Sequence, residues 1–495
     1  MSEREAVLQS ELEASRLEVK LLREKIDALL RRLYGSKSER LDPDQLMLLE
    51  GIDSKKAEAP ATDEPESGAT RKRKLRGKPQ GPRIPEHLPV KEEVLDPDLV
   101  KADPQAWRYI GDEVSERLDY EPARFWKHRL IRRKYARKDS PYIPPVIAPL
   151  PPTLQDRCLA TPSLIAQVVV SKYADHQPLY RQEQIYSQRH DVTIPRQTLC
   201  RWMALAADTL EPLYKLLRDQ QQSHPYLQID ETPIRYLQPG SGKAPQGYFW
   251  VSNVPSGDVV YHWHAGRGAD RLHKIVDTNF KGTLQCDGYR AYTSFQNQRA
   301  GPLELAACWA HARRKFIEAR ERDPKVCDWI LRHIAQLYRI EARLRRHNAG
   351  TALRLAVRAS ESAPIVQRIQ RALFKLSPRY LPKSNIGRAV NYALDQWKGL
   401  ELYLMNGSIE IDNNLVENAI RPTKLGMKNW MFLGSEESGK TSAILFTIVE
   451  SAKRRGLEPY AYLRHLLETL PSTTNWNLHT LTPAVYAKAL KRPAA

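Results

Sequence analysis

Leu8, Leu12, Val19, Leu22, Ile26, Leu29 and Leu33 step along the chain by alternating fours and threes, with Ser15 holding the one polar place in the series. That period draws a narrow apolar seam on a helix and predicts a short coiled coil over residues 1–34; an amphipathic helix packed on its own protein is the other reading of the same seam. Residues 35–85 turn to Pro, Glu, Lys, Ser and Ala with few large apolar side chains. Such a stretch cannot bury enough to stay ordered, and it reads as a flexible linker, basic at its end. Residues 86–142 carry Trp107, Tyr109, Tyr120, Phe125 and Trp126 among basic, β-favouring runs such as RFWKHRLIRRKYARK, which predicts a small β-rich module.

Past the Pro-rich PYIPPVIAPLPP, three helical patterns follow over residues 163–173, 179–190 and 195–207 or beyond. Only Asp191-Val-Thr separates the last two, and Pro195 is well placed to open a helix. A tight helix pair of this kind is the sequence form of a helix-turn-helix, here within residues 143–222. Arg196, Gln197, Thr198 and Arg201 would then face the major groove, although many such pairs never meet DNA.

The period then changes to that of strands. An apolar run over 225–230 ends in Asp230, two further strand-like runs cover 247–251 and 259–263, a helical stretch covers 270–278, and Gly282-Thr-Leu-Gln-Cys-Asp-Gly288 brings a second apolar run to Asp287. A lone Asp at a strand end is ordinarily a turn or cap residue. In a mixed sheet of this order the first and fourth strands lie side by side, so the two acids come near enough to share one divalent cation. Mg²⁺ takes oxygen ligands and keeps open positions for phosphate, so a phosphodiester site asks for a third acid. In IDNNLVENAIRP (411–422), Asp412 or Asn413 is a natural helix cap, Glu417 lies in the first two turns, Arg421 follows four residues on, and Pro422 is expected to end the helix. A plain Glu417–Arg421 ion pair is the competing reading, and Glu410 and Asp412 are competing acids. Helical patterns fill residues 317–405, so a helical domain is expected to interrupt the sheet domain, whose parts are residues 223–316 and 406–470, with a tail over 471–495.

Charge narrows the partner. The formal balance is +19 with a pI near 9.6, and basic residues cluster at 71–74, 132–134, 313–315 and 453–455. Double-stranded DNA is the leading candidate, with Lys134, Arg137, Arg313, Arg314, Lys315 and Lys424 as expected contacts beside the helix-turn-helix set. Five Cys without a C-x-x-C pair argue against a disulfide framework or zinc ribbon, and no apolar run approaches the length of a membrane span. A soluble, cytoplasmic protein is expected.

Together these segments resemble a transposase of the insertion sequence 66 family, a branch of the DDE transposases. The motifs are RRLYGSKSE (31–39), SKYADHQPLYRQE (171–183), LQIDET (227–232), LQCDGYRAY (284–292), CWAHARRKF (308–316), DNNLVENAIRP (412–422), KNWMFLGS (428–435) and AYLRHLL (461–467), in family order. The resemblance implies a multidomain α/β chain whose ribonuclease-H-like mixed sheet is interrupted by an all-helical insertion. It also implies that Asp230, Asp287 and Glu417 hold Mg²⁺ or Mn²⁺ for strand cleavage and strand transfer at the inverted repeats ending a mobile element. Cys308-Trp-Ala-His311 resembles a C/D-x-x-H signature whose His lies near DNA; a His bonded at the start of a basic helix is the bland alternative. Arg421 joins His311 as an auxiliary near the site. Holding two DNA ends implies a homo-oligomer, with residues 1–34 as one contact, and accessory proteins of the same element are further possible partners. Family members carry a four-cysteine zinc module after the linker; residues 88–142 contain no Cys, so zinc is not carried over. A catalytically inactive descendant that represses or sequesters element ends is the alternative function.

One motif pulls elsewhere. GSEESGKT (434–441) fits the G-x-x-x-x-G-K-[ST] phosphate loop, after a strand expected over 429–433. The acidic strands precede it in the chain, Glu436 and Glu437 would repel phosphates, and the resemblance places a GS-x-x-x-G loop and a helix here. ATPase activity is therefore not expected.

Overall fold

A computed structural model describes residues 124–135, 146–147, 149, 151–156, 158–238, 240, 242–321 and 323–491. The predicted coiled coil, the linker, Arg137 and most of the β-rich module lie outside the described residues. The first described elements are two short antiparallel strands, β1 (Lys134–Tyr135), within the expected module, and β2 (Val146–Ile147), just after it.

The three expected helices follow as α1 (Pro162–Tyr173), α2 (Leu179–His190) and α3 (Arg196–Gln222). Asp191, at φ 52°, turns the chain out of α2 in the left-handed conformation that Asp tolerates better than most residues. The backbone N–H of Arg196 donates to Glu183 of α2 at 3.0 Å, so one otherwise orphaned amide at the start of α3 is satisfied by the preceding helix. α3 runs well past residue 207. Leu199, Met203, Ala206, Leu210, Leu213 and Leu217 recur every three or four residues and are buried, and this stripe joins the core built on the sheet. Each fully buried leucine there contributes about 1.5–3 kcal/mol, which outweighs the poor helix propensity of Pro212 inside the helix.

Among the described residues the sheet has six strands. β3 (Tyr226–Tyr236) pairs antiparallel with β4 (Gln246–Asn253), which pairs antiparallel with β5 (Val259–His264). After the short helix α4 (Ala269–Ile275), β6 (Gly282–Gln285) lies parallel to β3 on its other flank; helix α5 (Arg290–Asn297) then leads to β7 (Leu303–Ala306), parallel to β6. The first and fourth strands are therefore neighbours, as the order of patterns predicts. Asp230 is not at a strand end, however. It sits in the middle of β3, opposite Val251, because the antiparallel ladder with β4 holds β3 extended to Arg235. The parallel ladder with β6 stops at Gln228.

Helices α6 (Trp309–Ala319), α7 (Pro324–Arg346), α8 (Thr351–Val357), α9 (Ala363–Leu376), α10 (Asn385–Asp395) and α11 (Trp397–Met405) fill the expected helical stretch. All of them but α8 contribute to a second core around Trp309, Phe316, Ile334, Val390 and Trp397, which also takes in Tyr226 of β3 and Ala306 of β7. A π-helical turn, Arg358–Ser362, aims the fully buried Arg358 at Glu341 with bonds of 2.7 and 2.8 Å, and a third nitrogen donates to the carbonyls of Tyr403, Asn406 and Ile409. A buried charge pair survives only when its remaining hydrogen bonds are met, and here they pin the turn that leads out of the helical region.

That turn leads to α12 (Asn414–Trp430), then β8 (Phe432–Leu433), α13 (Glu436–Arg454), α14 (Pro459–Thr469) and α15 (Pro483–Leu490). Pro422 does not end α12 but lies inside it; the helix closes at Met431, whose φ is 56°. The expected strand over 429–433 shrinks accordingly to two residues, parallel to β3 at Arg235 and Tyr236. α13 covers the outer edge of β5, where Tyr261 N–H donates to Thr447 Oγ1 at 2.9 Å and Val259 exchanges bonds with Ser451. An open strand edge is thereby satisfied by side chains. Among the described residues, no helix is long and apolar enough to cross a membrane.

GSEESGKT turns out to be the start of α13. Ser435 caps the helix by accepting from Ser438 N–H, so Gly439, Lys440 and Thr441 are helical and form no loop around a phosphate. Gly439 is there for closeness: a Cβ would overlap the indole of Trp263.

Candidate metal and nucleic-acid site

Between the end of its pairing with β6 and the start of its pairing with β8, one flank of β3 has no strand partner among the described residues. The start of α12 fills this gap. Asn413 Nδ2 donates to the carbonyl of Ile229 at 3.2 Å, and Gln228 donates to the carbonyl of Asp412 at 3.0 Å. Gln285 on β6 bonds Gln228 at 2.8 Å and the carbonyl of Glu410 at 2.9 Å. These buried amides fix the two parallel strands and the turn before α12 in one register, because each would cost about 1–3 kcal/mol if left unpaired.

Asp230 projects beside this junction, its Oδ1 accepting from Glu231 N–H at 2.9 Å. Asp287 follows β6 by two residues, in a turn that Gly288 allows at φ 82°; its Oδ1 accepts from Tyr289 N–H at 2.9 Å. Carboxylate oxygens of Asp230, Glu231 and Asp287 all lie within 4.8 Å of one another. Burial first, then the charges of Glu231, Asp287 and Glu417, hold the Asp230 carboxyl well above the usual range. Two of the expected acids thus meet, and a fourth that sequence reasoning missed stands with them. Glu231 is the best-satisfied of the group: Tyr292 donates to Oε2 at 2.7 Å, and Arg267 reaches Oε1 with Nε at 2.6 Å and Nη2 at 2.5 Å. The Arg267 guanidinium lies 3.9 Å from the Tyr289 ring centre and 4.0 Å from Asp287.

Glu417 stands apart from that trio. Its neighbours are Cys308 and His311 of the α6 start, with donor atoms of the three within 4.8 Å. His311 Nδ1 is 3.6 Å and Arg314 is 3.7 Å from its two oxygens, in place of the Arg421 partner that spacing allows. Burial lowers the His311 pKa, against the pull of Glu417 upward. Glu410 is occupied elsewhere, by Arg345 and Arg354 at 2.8 Å each; Asn413 is the cap residue of α12, and Asp412 just before it accepts from Asn414 N–H at 3.1 Å.

Cations flank the acids. Glu417, Arg421, Lys424 and Lys428 recur at four, three and four along α12, and His311, Arg314 and Lys315 share a face of α6, with Arg313, half-buried, on another face. Asp230 raises the pKa of Lys424, though burial lowers it more. At the start of α3, Arg196, Gln197 and Arg201 are exposed and Thr198 is half-buried; Lys134 is exposed on β1. A hard-oxygen cluster beside basic helix faces can hold a divalent cation and an anionic phosphate chain together.

Comparison with known proteins bears on the same segments. Residues 157–441, more than half of the chain, match the model described as "Transposase IS66 family"; residues 447–484 match "IS66 C-terminal element", and residues 21–92 match "Transposase C of IS166 homeodomain". The chain is 34% identical over 487 residues to the uncharacterized protein y4jD of Sinorhizobium fredii, covering 93% of this chain and 94% of that one. It is 35% identical over 398 residues to y4qI of the same organism, covering 77% and 72%.

Proposed function

The chain belongs to the IS66 transposase family, and from that membership we propose that it is a working DNA transposase, binding the ends of its element and cutting and joining strands with a divalent cation. In this reading residues 223–316 and 406–470 form a ribonuclease-H-like core, residues 317–405 are inserted into it, and α2 and α3 act as a helix-turn-helix. Residues 1–34 join subunits so that two DNA ends are held at once.

The observation that carries the reading is the meeting of Asp230 and Asp287 across adjacent parallel strands. Each spends one oxygen on a local amide, and the donor set is made of hard oxygens, which fits Mg²⁺ or Mn²⁺. Bound there, the cation would supply charge stabilisation to the attacking and leaving oxygens of a phosphodiester. Glu417 completes the ligand set from α12, within the electrostatic reach of Asp230. Arg421 and Lys424 on α12 and Arg314 and Lys315 on α6 bind the phosphate chain, and His311 orients the scissile phosphate from the other side of Glu417.

The test is strand cleavage and joining by the purified full chain on duplex DNA carrying the element's terminal inverted repeats, with Mg²⁺ or Mn²⁺. Cleaved and joined products that disappear with a chelator are expected. Tight binding of the ends with no cleavage in either metal would instead establish an inactive descendant that occupies them.

A further inference from the structure

Residues 362–394 of the helical stretch contain six cations and no acid. At the chain's own frequency of 58 Asp and Glu in 495 residues, about four acids would fall in a run of that length. The fold then gathers the cations. Arg368, Arg371 and Lys375 step by three and four along α9, opposite its buried stripe of Val366, Ile369 and Leu373, and all three are exposed. Arg379 and Lys383 are exposed on the connection to α10, and Arg388 is exposed on α10 itself. None of the six is in an ion pair among the described residues, and the acids nearest in the chain and the fold are taken by others, Glu361 by Arg343 and Asp323 by the Tyr380 hydroxyl. Like charges this close repel one another inside the Debye length of about 8–10 Å, so the unbound fold carries this face at a cost. The face also begins beside the acid cluster: Tyr392, one turn beyond Arg388 on the same side of α10, donates to the carbonyl of Asp287 at 2.8 Å.

We propose that α9, the connection after it and the start of α10 bind the phosphate backbone of duplex DNA and carry the duplex away from the acid cluster across the helical region. This surface is additional to the basic faces of α3, α6 and α12, and it rests on the transposase reading. From Arg368 to Lys375 the helix rises ~10 Å, about three phosphate steps of one strand at 3.4 Å each. Lys and Arg on such a face meet phosphate oxygens and read no bases, so it holds DNA of any sequence. A bound phosphate chain also removes the mutual repulsion of the six cations. The same chemistry suits two duplexes, the element end and the target that receives it. Phe374 and Leu381, exposed within the face, would also suit an anionic lipid surface, but the adjoining Asp287 turn favours DNA.

The test is the salt dependence of DNA binding by the full chain, with Ca²⁺ in place of Mg²⁺. One duplex carries the element's terminal inverted repeat and its flank; a second, of random sequence, is added to protein already holding the first and stands for the target. Changing Arg368, Arg371 and Lys375 together to Gln should flatten the slope of log K against log[KCl] by about two to three, or about 0.9 per lost phosphate contact. Flattening on the first duplex assigns the face to the element end, and flattening on the second assigns it to the target. Arg388→Gln alone should flatten the same slope by about one, and it decides the matter if the triple variant fails to fold. Changing the exposed Lys215, Lys488 and Lys491 to Gln removes the same charge elsewhere and should leave both slopes as they are. Slopes unchanged on both duplexes while DNA is still bound overturn the face and leave the transposase reading standing. Equal flattening by the Lys215, Lys488 and Lys491 changes would reduce the effect to net charge and overturns it too, as would loss by the triple variant of binding to phosphatidylserine vesicles alone. If the unaltered protein bound neither duplex, the transposase reading itself would fall and this face with it.

Discussion

Arg267 grips Glu231 with two nitrogens at 2.6 and 2.5 Å, one residue away from Asp230. Glu231 is almost wholly buried while Arg267 is 38% exposed, so water screens only one end of the pair. Arg267→Ala should therefore destabilise the fold by about 1–2 kcal/mol, less than the 3–5 kcal/mol for breaking a fully buried pair. Glu231→Gln in the same chain should recover part of that loss, because the stranded charge is gone. A double-mutant cycle by urea denaturation checks this; additive single effects would mean that the pair contributes nothing of its own.

Glu417→Gln keeps size and much of the hydrogen-bonding capacity but loses the charge that, in the proposed function, would help hold a cation. Cleavage and strand transfer should both collapse while end binding and thermal stability stay nearly unchanged. Asp412→Asn should spare the chemistry, since Asp412 bonds the first amide of α12 from just ahead of the cap residue Asn413, and an Asn oxygen can accept the same bond. Retained strand transfer in Glu417→Gln with loss in Asp412→Asn would move the third carboxylate to Asp412.

The exposed residues at the start of α3 make a different prediction from the basic residues elsewhere. Arg196→Ala or Gln197→Ala should reduce discrimination between end DNA and random DNA by about 1–3 kcal/mol per lost base contact. Lys134→Ala should weaken both alike and flatten the salt dependence. Equal loss on both DNAs in the α3 variants would assign that helix to the phosphate backbone.

Gly439→Ala sets two effects against each other. Alanine gains about 1 kcal/mol of helix propensity over glycine, but its methyl overlaps the Trp263 indole, and overpacking costs roughly 1–3 kcal/mol. Because the indole is itself wedged among buried aromatics, the clash should win and the melting temperature should fall. Lys440→Ala, on the exposed face, should change stability by less than about 0.5 kcal/mol, and no ATP hydrolysis is expected from any of these proteins. A stabilised Gly439→Ala would show that Trp263 can move aside.

His262 supplies a pH signature. Burial chiefly, with His264 and Arg218 nearby, lowers its pKa from 6.5 to about 3, and Tyr214 and Ser252 flank its ring. The folded state thus keeps His262 neutral where the unfolded chain takes up a proton. Its contribution is full above pH 6.5 and is lost as pH falls below that value toward about 3, at up to about 1.4 kcal/mol per pH unit. The raised pKa of Asp230 acts in the opposite sense, so the informative quantity is the difference between wild type and His262→Gln. Melting curves between pH 7 and pH 5 should converge as pH falls; a constant offset would mean that His262 is protonated in the fold.

Period alone placed β3 to β6, α1, α2 and the helical stretch, because a two-residue or 3.6-residue repeat survives whatever packs against it. The two aspartates were visible as acids closing apolar runs. What period cannot show is where a partner strand stops. Asp230 looked like a strand end because the apolar run ends there, yet β4 keeps β3 extended beyond it. Pro422 looked like a terminator, but it lies on the buried face of its helix with Ala419, Thr423 and Gly426, and that packing offsets one missing N–H. Glu231 was hidden behind its neighbour, and Arg267 lies in a loop with no repeat to mark it.

The gap in β3 sets an order of events during synthesis. Asp230 leaves the ribosome early, but the turn that bonds Gln228, the helix start that bonds Ile229 and the strand that joins Arg235 all come from beyond residue 405. At about 5–20 residues per second, Glu417 is made roughly ten to forty seconds after Asp230. A nascent or truncated chain can therefore expose its α2–α3 pair while its acidic cluster is still unfinished. For the transposase proposed above, competence to cut would arrive with the last fifth of the polypeptide, and the ordering of translation itself would keep half-made copies harmless to DNA.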